Sequence, residues 1–416
     1  MRLPAGRIRG TVRVPGSKSL TNRALVAAAI APGRSELVAP LESDDTRVLG
    51  EALGRLGAEV VARPGSWEVT GPLRGGGGEE VRIDVGPAGT PARFLLALLS
   101  ALPGRFVLDG SPRMRERPMG PLVEALRSRG ARIEAVGREG YLPLRIEGGS
   151  LAAGEVAIRA DVSSQFVSAL LLVAPLVPGG LNVRAEGRPV SGAYVDLTRD
   201  VLSVFAPGGA YRAARYVVPG DDSAACFPIA GALLSRGEAR IEGLDPASRQ
   251  PDALFRRWAR EAGGRLRWEG EGERAVLVVE GDEIGPVDAD VDPAPDAALP
   301  LAALLAFSNG TSRLRGVERL RAKESDRLAA ALDLLGRAGA SARAGDSAEG
   351  RELVVDGPAG RPRRADFDAM DDHRVAMAAA VLALVLPEGC TVDEPLVVSK
   401  SWPAFWDDWA GLVKPG

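Results

Sequence analysis

The sequence predicts an α/β protein of two pseudo-equivalent domains, each made of three repeats of one strand-and-helix unit, and three observations lead there. The chain has 416 residues, 45% hydrophobic and 26% charged, which is more than a single core usually organises and too apolar for disorder. Self-similarity recurs at roughly 55 to 80 residues. LGRLGAEVVA around Gly57, LRSRGARIEA around Gly130, AREAGGRLRW around Gly263 and LGRAGASARA around Gly339 each read as a helix, a glycine just past its end and an alternating strand. Finally, six Ala/Leu-rich runs, Asn22 to Ile30, Pro91 to Leu102, Gln165 to Val177, Ala224 to Leu234, Ala297 to Ala306 and Arg374 to Leu386, are too apolar to face water. They are expected as buried helices.

Taken in order, these helices open on SKSLTNR, GPAGTPAR, DVSSQF, GDDSAACF, APDAALP and DDHRVAM. Ordinary N-capping by Ser, Thr and Asp explains each start taken singly. Six aligned starts of this kind suggest a shared anion-binding cleft, because free N–H groups and the helix dipole favour negative charge there. Three repeats fall before about residue 221 and three after it, and polar motifs recur at corresponding places, which favours two domains over one long solenoid. Leu73 to Glu80, with Gly75 to Gly78, and Ala344 to Arg351 are expected as surface loops without chemistry.

Composition excludes several function classes. With 52 basic and 55 acidic residues, a formal charge of −3, there is no overall basic field of the sort nucleic-acid binding needs. No apolar run reaches the roughly 18 to 20 residues of a membrane span, and MRLPAGRIRG lacks the apolar core of a signal peptide, so a cytoplasmic protein is expected. Cys226 and Cys390 sit in no CxxC or Cys/His spacing, which argues against a disulfide scaffold or a structural zinc. A single histidine, His373, cannot build a two-histidine metal motif, and acid/base work must fall on carboxylates, lysine or that residue.

The cations are almost all arginine. The only lysines are Lys18, Lys323, Lys400 and Lys414, and the first three lie in PGSKSLTNR, RAKESDR and VVSKSWP. Where background lysine has become arginine, a remaining lysine marks a position that wants a compact ammonium rather than a planar fork. Gln165, one of two glutamines, is singled out by the same reasoning. Lys18, Ser19 and Arg23 at a helix start can converge on one phosphate or carboxylate, although neither GxxxxGK[ST] nor a strand-linked GxGxxG is present. Gly89 offers close backbone approach and Thr90 a hydroxyl. Arg113, Arg115 and Arg117 form a cation cluster beside Pro118. KESDR reads as one helical turn with Lys323 and Arg327 on one side and Glu324 in reach of Arg327; a surface ion-pair stripe and a catalytic cluster are both compatible with it. Asp296, before an uncharged helix, is either a cap or a base at a buried cleft.

Together, PGSKSLTNRAL, the AGTxAR pattern, PRMRERPMGPLVEALR, SSQFVSALLL, PDAA, RAKESDRL, DDHRVAMA and SKSWPAF resemble the EPSP synthase family, the 3-phosphoshikimate 1-carboxyvinyltransferases, in order and spacing along essentially the whole chain. The resemblance implies two inverted α/β domains, each of three βαβαββ units, joined by two crossovers and closing on substrate. That places residues 1–15 and 222–416 in one domain and 16–221 in the other. It implies transfer of the enolpyruvyl group of phosphoenolpyruvate to the 5-hydroxyl of shikimate 3-phosphate, with no metal or organic cofactor, by a monomer.

By the same resemblance, Lys18, Ser19, Arg23, Ser163, Ser164, Gln165, Ser191, Asp296 and Lys323 contact shikimate 3-phosphate. Lys18, Gly89, Arg117, Gln165, Arg327, Arg374 and Lys400 hold phosphoenolpyruvate. Asp296 is the implied proton acceptor and Glu324 the donor, with Lys18 and Lys323 beside them. Pro87 and Phe94 depart from residues common in the family, and Arg319 stands where some members use a substrate-binding Asn, so no role is carried to it. The UDP-N-acetylglucosamine enolpyruvyl transferases are similar in fold and reaction but use a loop cysteine, and Ser111 to Gly120 has none. A non-catalytic phosphometabolite-binding relative would be expected to lack Asp296, Glu324 or Lys323, and all three are present.

Overall fold

The six apolar runs all form helices in the computed structural model, which describes residues 1–159, 161, 163–187, 192–347, 350–387 and 389–415. They are α1 (Lys18–Ile30), α2 (Gly89–Ala101), α3 (Ser164–Val173), α4 (Asp222–Leu234), α5 (Ala298–Leu305) and α6 (His373–Ala383). Every residue of α4 and α5 is buried, as is every residue of α1 from Leu20 onward, so these helices are core on all sides. Truncating a fully buried leucine such as Leu25 or Leu301 to alanine costs about 2–5 kcal/mol at such sites. Several of the helices begin earlier than their apolar runs, because the polar residues before each run form the first turn. The third ends early, at Val173, with a 3-10 turn over Ala174–Leu176. Pro175 has no N–H to donate and its ring crowds the preceding turn.

The chain divides into two compact units, Met1–Pro15 with Pro219–Gly416, and Gly16–Val218. The return lies at Pro219 rather than at residue 222, since the Gly220 N–H donates to Gly243 O at 2.9 Å and the Asp221 N–H to Pro15 O at 2.8 Å. Within Gly16–Val218, α1, α2 and α3 pack on one another and carry two four-stranded sheets and one two-stranded sheet. The opening strand of its first sheet, Arg215–Val217, arrives last in the chain and pairs parallel with Gly33–Val38. The other unit is built likewise around α4, α5 and α6. Its opening strand, Arg7–Arg13, precedes the whole inserted unit and pairs parallel with Glu238–Glu242, Val12 opposite Ile241.

Two repeats in each unit follow the βαβαββ order. Glu80–Asp84, α2, Gly104–Asp109, the helix Gly120–Ser128, Arg132–Ala135 and Leu144–Gly148 are one example. The third repeat is shorter than expected. Among the described residues, Gly154–Arg159, α3 and Leu181–Glu186 lead into the helix Gly192–Phe205, and Ala365–Phe367, α6 and Cys390–Val392 lead on to the helix Phe405–Leu412, without a closing hairpin. The four glycines expected after second helices, Gly57, Gly130, Gly263 and Gly339, have φ of 101, 91, 101 and 85°, the left-handed conformation that makes glycine the preferred helix terminator. Ala344 to Arg351 is not a plain loop. Ser341–Ser347 and Gly350–Asp356 pair antiparallel through Ser347 and Gly350, so the polar GDS and GR residues continue a hairpin. No helix among the described residues is long and apolar enough to cross a membrane.

Candidate active site

In the discontinuous unit, the sequence motifs converge on Arg327. RAKESDR is not one helical turn. A 3-10 turn, Glu318–Ala322, gives way to irregular backbone at Lys323 to Asp326, and the helix starts at Arg327 because the Asp326 side chain caps it, accepting from Ala329 N at 3.1 Å. Arg327 is 1% exposed. Its Nη1 donates to Asp296 Oδ1 at 2.8 Å, its Nη2 to Glu324 Oε2 at 2.8 Å, and its Nε and Nη2 to the two oxygens of Asp372 at 2.7 and 3.1 Å. Asp296, in a 3-10 turn leading into α5, also accepts from Lys323 Nζ at 3.1 Å and from Arg374 Nη2 at 3.2 Å. Lys400, at the end of the 3-10 stretch Pro395–Lys400, places Nζ 3.6 Å from Glu324 Oε1.

Three carboxylates (Asp296, Glu324, Asp372) thus sit among four cations (Lys323, Arg327, Arg374, Lys400), and the charges of Asp252 and Asp221 also act on Arg374. Burial alone would push the Asp296 carboxyl up, but the charges of Arg374, Lys323 and Arg327 outweigh it and hold it well below the usual carboxylate range. Burial weakens the Arg327 guanidinium, yet Asp372, Glu324 and Asp296 more than compensate, and the net shift is upward. Arg374 moves the same way, burial being outweighed chiefly by Asp296. A buried site of this make-up is suited to exchanging its own carboxylates for those of an anionic ligand.

In Gly16–Val218 the helix starts behave differently from one another. At the start of α1, Lys18 Nζ lies 3.5 Å from Asp45 Oδ2, and Ser19 is half-buried. Arg23 is turned inward. Its Nε donates to Thr198 Oγ1 at 2.8 Å, its Nη1 to Ser19 O at 2.8 Å, and its Nη2 to Ser168 Oγ and Tyr194 O at 3.1 and 3.0 Å. Burial lowers it to about 10 against the nearby Tyr194 and Tyr216. Among the described residues these bonds use four of its five N–H donors. Phe94 lies beneath it, the guanidinium carbon 5.4 Å from the ring centroid.

Gly89 begins α2, and a Cβ built on it would stand 2.5 Å from Arg117 Nη1 and 2.6 Å from Arg93 Nη1. Arg93 is tied to Gly89 O at 2.9 Å. Arg117 is 7% exposed, and neither its Nε nor its Nη1 has a hydrogen-bond partner among the described residues. A buried guanidinium with two such groups is a strong pointer to an anion, since leaving them unmatched is costly. Gln165, near the start of α3, donates from Nε2 to Thr90 Oγ1 at 3.1 Å, and its buried Oε1 has no partner among the described residues. Ser163 caps α3, its Oγ accepting from Gln165 N at 3.2 Å, and Ser164 follows, buried. Ser191 lies outside the described residues.

Of the cluster Arg113, Arg115 and Arg117, only the last turns inward. Arg113 pairs with Glu116 at 2.8 Å and Arg115 with Asp109 at 2.6 Å, both near solvent. Arg319 is paired with Asp292 at 2.6 Å. Sequence reasoning missed Asp45 and Asp372 as partners of functional cations. Asp372 stood in DDHR, where a capping role accounted for it; Asp45 sits in an acidic helix start, SDDT, that nothing distinguishes from a surface helix.

A sequence profile of the EPSP synthase family, described as 3-phosphoshikimate 1-carboxyvinyltransferase, matches residues 3–409. The chain is 38% identical over 423 residues to a 3-phosphoshikimate 1-carboxyvinyltransferase of Syntrophobacter fumaroxidans, covering 98% of each chain. It is 37% identical over 424 residues to one from Sulfurovum sp., covering 97% of this chain and 96% of the relative. Among solved structures, an EPSP synthase from Acinetobacter baumannii superposes with a TM-score of 0.81 at 23% identity, covering 100% of this chain and 98% of that one. The enolpyruvyl transferase NikO from Streptomyces tendae gives 0.77 at 17%, covering 99% and 96%.

Proposed function

Since the chain belongs to the EPSP synthase family, we propose that the Arg327-centred cluster and the starts of α1, α2 and α3 serve one pair of substrates, phosphoenolpyruvate and shikimate 3-phosphate. The enzyme is a 3-phosphoshikimate 1-carboxyvinyltransferase. It joins the 5-hydroxyl oxygen of shikimate 3-phosphate to C2 of phosphoenolpyruvate while C3 gains a proton. The resulting ketal then loses inorganic phosphate and one methyl proton.

The observation that carries the assignment of roles is the double use of cations by Asp296 and Glu324. Arg327, Arg374 and Lys323 hold Asp296, while Arg327 and Lys400 hold Glu324. In our reading, the carboxylate and phosphate of phosphoenolpyruvate take over Arg327, Arg374 and Lys400; within Gly16–Val218 the residues assigned to the same substrate are Arg117, Gln165 and Gly89. As these counter-charges turn to the substrate, the Asp296 carboxyl rises toward its ordinary value. Glu324 can then carry a proton to C3, and Asp296 becomes basic enough to accept one from the hydroxyl. Lys18 and Lys323 answer charge that moves toward the bridging and leaving oxygens. Ser19, Arg23, Ser163, Ser164, Gln165 and Ser191 cradle shikimate 3-phosphate. We place the enzyme in the cytoplasm as a monomer, which fits two small phosphorylated substrates and the lack of any long apolar helix among the described residues.

The test is release of inorganic phosphate from phosphoenolpyruvate with shikimate 3-phosphate, with UDP-N-acetylglucosamine, or with no acceptor. Release with shikimate 3-phosphate alone is expected. Release with the nucleotide sugar, or with none of the three, would overturn the reading.

A further inference from the structure

We propose that Asp372 is a positioning residue for phosphoenolpyruvate: it sets the orientation of both Arg327 and Arg374 without touching substrate itself. The inference rests on those two arginines holding phosphoenolpyruvate. Asp372 is 0% exposed, and both of its oxygens are used. Oδ2 accepts from Arg327 Nε at 2.7 Å and Ser325 Oγ at 3.0 Å, while Oδ1 accepts from Arg327 Nη2 at 3.1 Å and the Arg374 backbone N–H at 3.0 Å. One carboxylate therefore ties the loop at Ser325, the first residue of the helix Arg327–Ala338 and the first turn of α6.

Position within the charge cluster gives this grip its meaning. Arg327 has an inner edge, Nε and one Nη2 hydrogen, bound side-on by Asp372, and outer N–H groups bonded to Asp296 and Glu324. The outer partners, 22% and 14% exposed at the side chain, are the ones an incoming anion can replace. Asp372 lies behind the guanidinium and stays. A planar guanidinium held bidentately along one edge has no freedom to rotate, so its outer edge keeps one aim while its partners change. As the N-cap of α6, Asp372 also fixes the turn from which Arg374 extends. His373 Nδ1, 3.6 Å from Asp372 Oδ1, is a further neighbour of this carboxylate.

Asparagine at this position separates the two jobs. It caps helices about as well as aspartate, but it offers Arg327 one acceptor and turns an NH2 toward a donor. Asp372→Asn should raise the Michaelis constant for phosphoenolpyruvate by roughly 10- to 100-fold, the scale for losing a charge-assisted hydrogen bond, and leave the dissociation constant of shikimate 3-phosphate within about twofold of wild type. Ser325→Ala removes one donor to the same carboxylate and leaves its charge in place. It should raise the phosphoenolpyruvate constant by about two- to fivefold, the scale of a weak hydrogen bond, and it keeps the test decisive if the first variant does not fold. Arg327→Lys and Arg374→Lys run alongside. If these leave the phosphoenolpyruvate constant unchanged, the assignment of the two arginines fails. If they raise it while Asp372→Asn or, where that variant is unfolded, Ser325→Ala does not, the positioning role alone is overturned. Equal weakening of both substrates in step with a fall in melting temperature would likewise reduce Asp372 to a structural residue.

Discussion

Replacing Gly89 with alanine probes the contact between helix start and cation. The added methyl would lie 2.5 Å from Arg117 Nη1, 2.8 Å from Arg117 Cζ and 2.6 Å from Arg93 Nη1, against about 3.5 Å for an ordinary contact. Both guanidiniums are crowded, each short of an ordinary contact by about 1 Å. Arg93 is tethered to Gly89 O and Pro118 O at 2.9 and 3.4 Å, whereas Arg117 Nε and Nη1 have no partners among the described residues, so Arg117 is the more easily displaced of the two. The backbone itself accepts the change, because Gly89 is the first residue of a helix, where alanine is at least as well suited. On the proposed role of Arg117, its displacement weakens one charge-assisted contact to phosphoenolpyruvate by about 1.5 to 3 kcal/mol, or roughly 10- to 150-fold in the Michaelis constant. If the longer phosphonate glyphosate binds in place of phosphoenolpyruvate beside the same glycine, it should lose more. The assay is competitive inhibition of wild type and Gly89→Ala by glyphosate against phosphoenolpyruvate at saturating shikimate 3-phosphate. An unchanged Michaelis constant with equal inhibition in both proteins would refute the placement of Gly89 beside the ligand.

Other changes test other parts of the site. Asp296→Asn or Glu324→Gln should lower turnover by about two to four orders of magnitude with substrate affinities retained; steady-state kinetics with binding titrations would expose full turnover in either. Lys18→Arg and Lys400→Arg should each cost about tenfold or more in kcat/KM, since a planar fork does not fit where Lys18 faces Asp45 and Lys400 faces Glu324 at 3.5 and 3.6 Å. Near-normal kinetics would show that lysine is not specifically required. Burial holds Asp222 up to about 6 against an ordinary 3.8, despite Arg256. A raised carboxyl adds stability below its unfolded value, and that contribution is lost as pH rises from about 4 to about 6. Thermal melts across this window should therefore slope downward with pH in wild type and more weakly in Asp222→Asn. Parallel curves would contradict the raised value.

Much of this site was legible in the sequence because its chemistry is local. Lysine stood out against an arginine background at Lys18, Lys323 and Lys400, and the six buried helices announced themselves as apolar runs opened by polar residues. What could not be read was three-dimensional pairing. Glu324 and Arg327 suggested a helical i,i+3 pair, yet the pair forms across irregular backbone because Asp326 delays the helix. Arg23 and Arg117 look equivalent as buried cations, but Arg23 is bound by Thr198 and Ser168, far away in sequence, while Arg117 Nε and Nη1 have no partner among the described residues. Asp372 resembled any N-cap, since its second role depends on an arginine 45 residues earlier. The shortened third repeats were hidden for a similar reason: the strand Val413–Lys414 pairs with Arg7–Ile8, at the opposite end of the chain.

The proposed mechanism assigns proton delivery to C3 of phosphoenolpyruvate and removal of a methyl proton to carboxylates of the Arg327 cluster. It is tested most directly by running the reaction in deuterium oxide to partial conversion and measuring the vinyl methylene of the product by mass spectrometry. Deuterium is expected in that methylene, with Glu324→Gln slowing its appearance and phosphate release by the same factor. Full turnover in deuterium oxide to an unlabelled methylene would mean that C3 is never protonated, and it would contradict the roles given to both carboxylates.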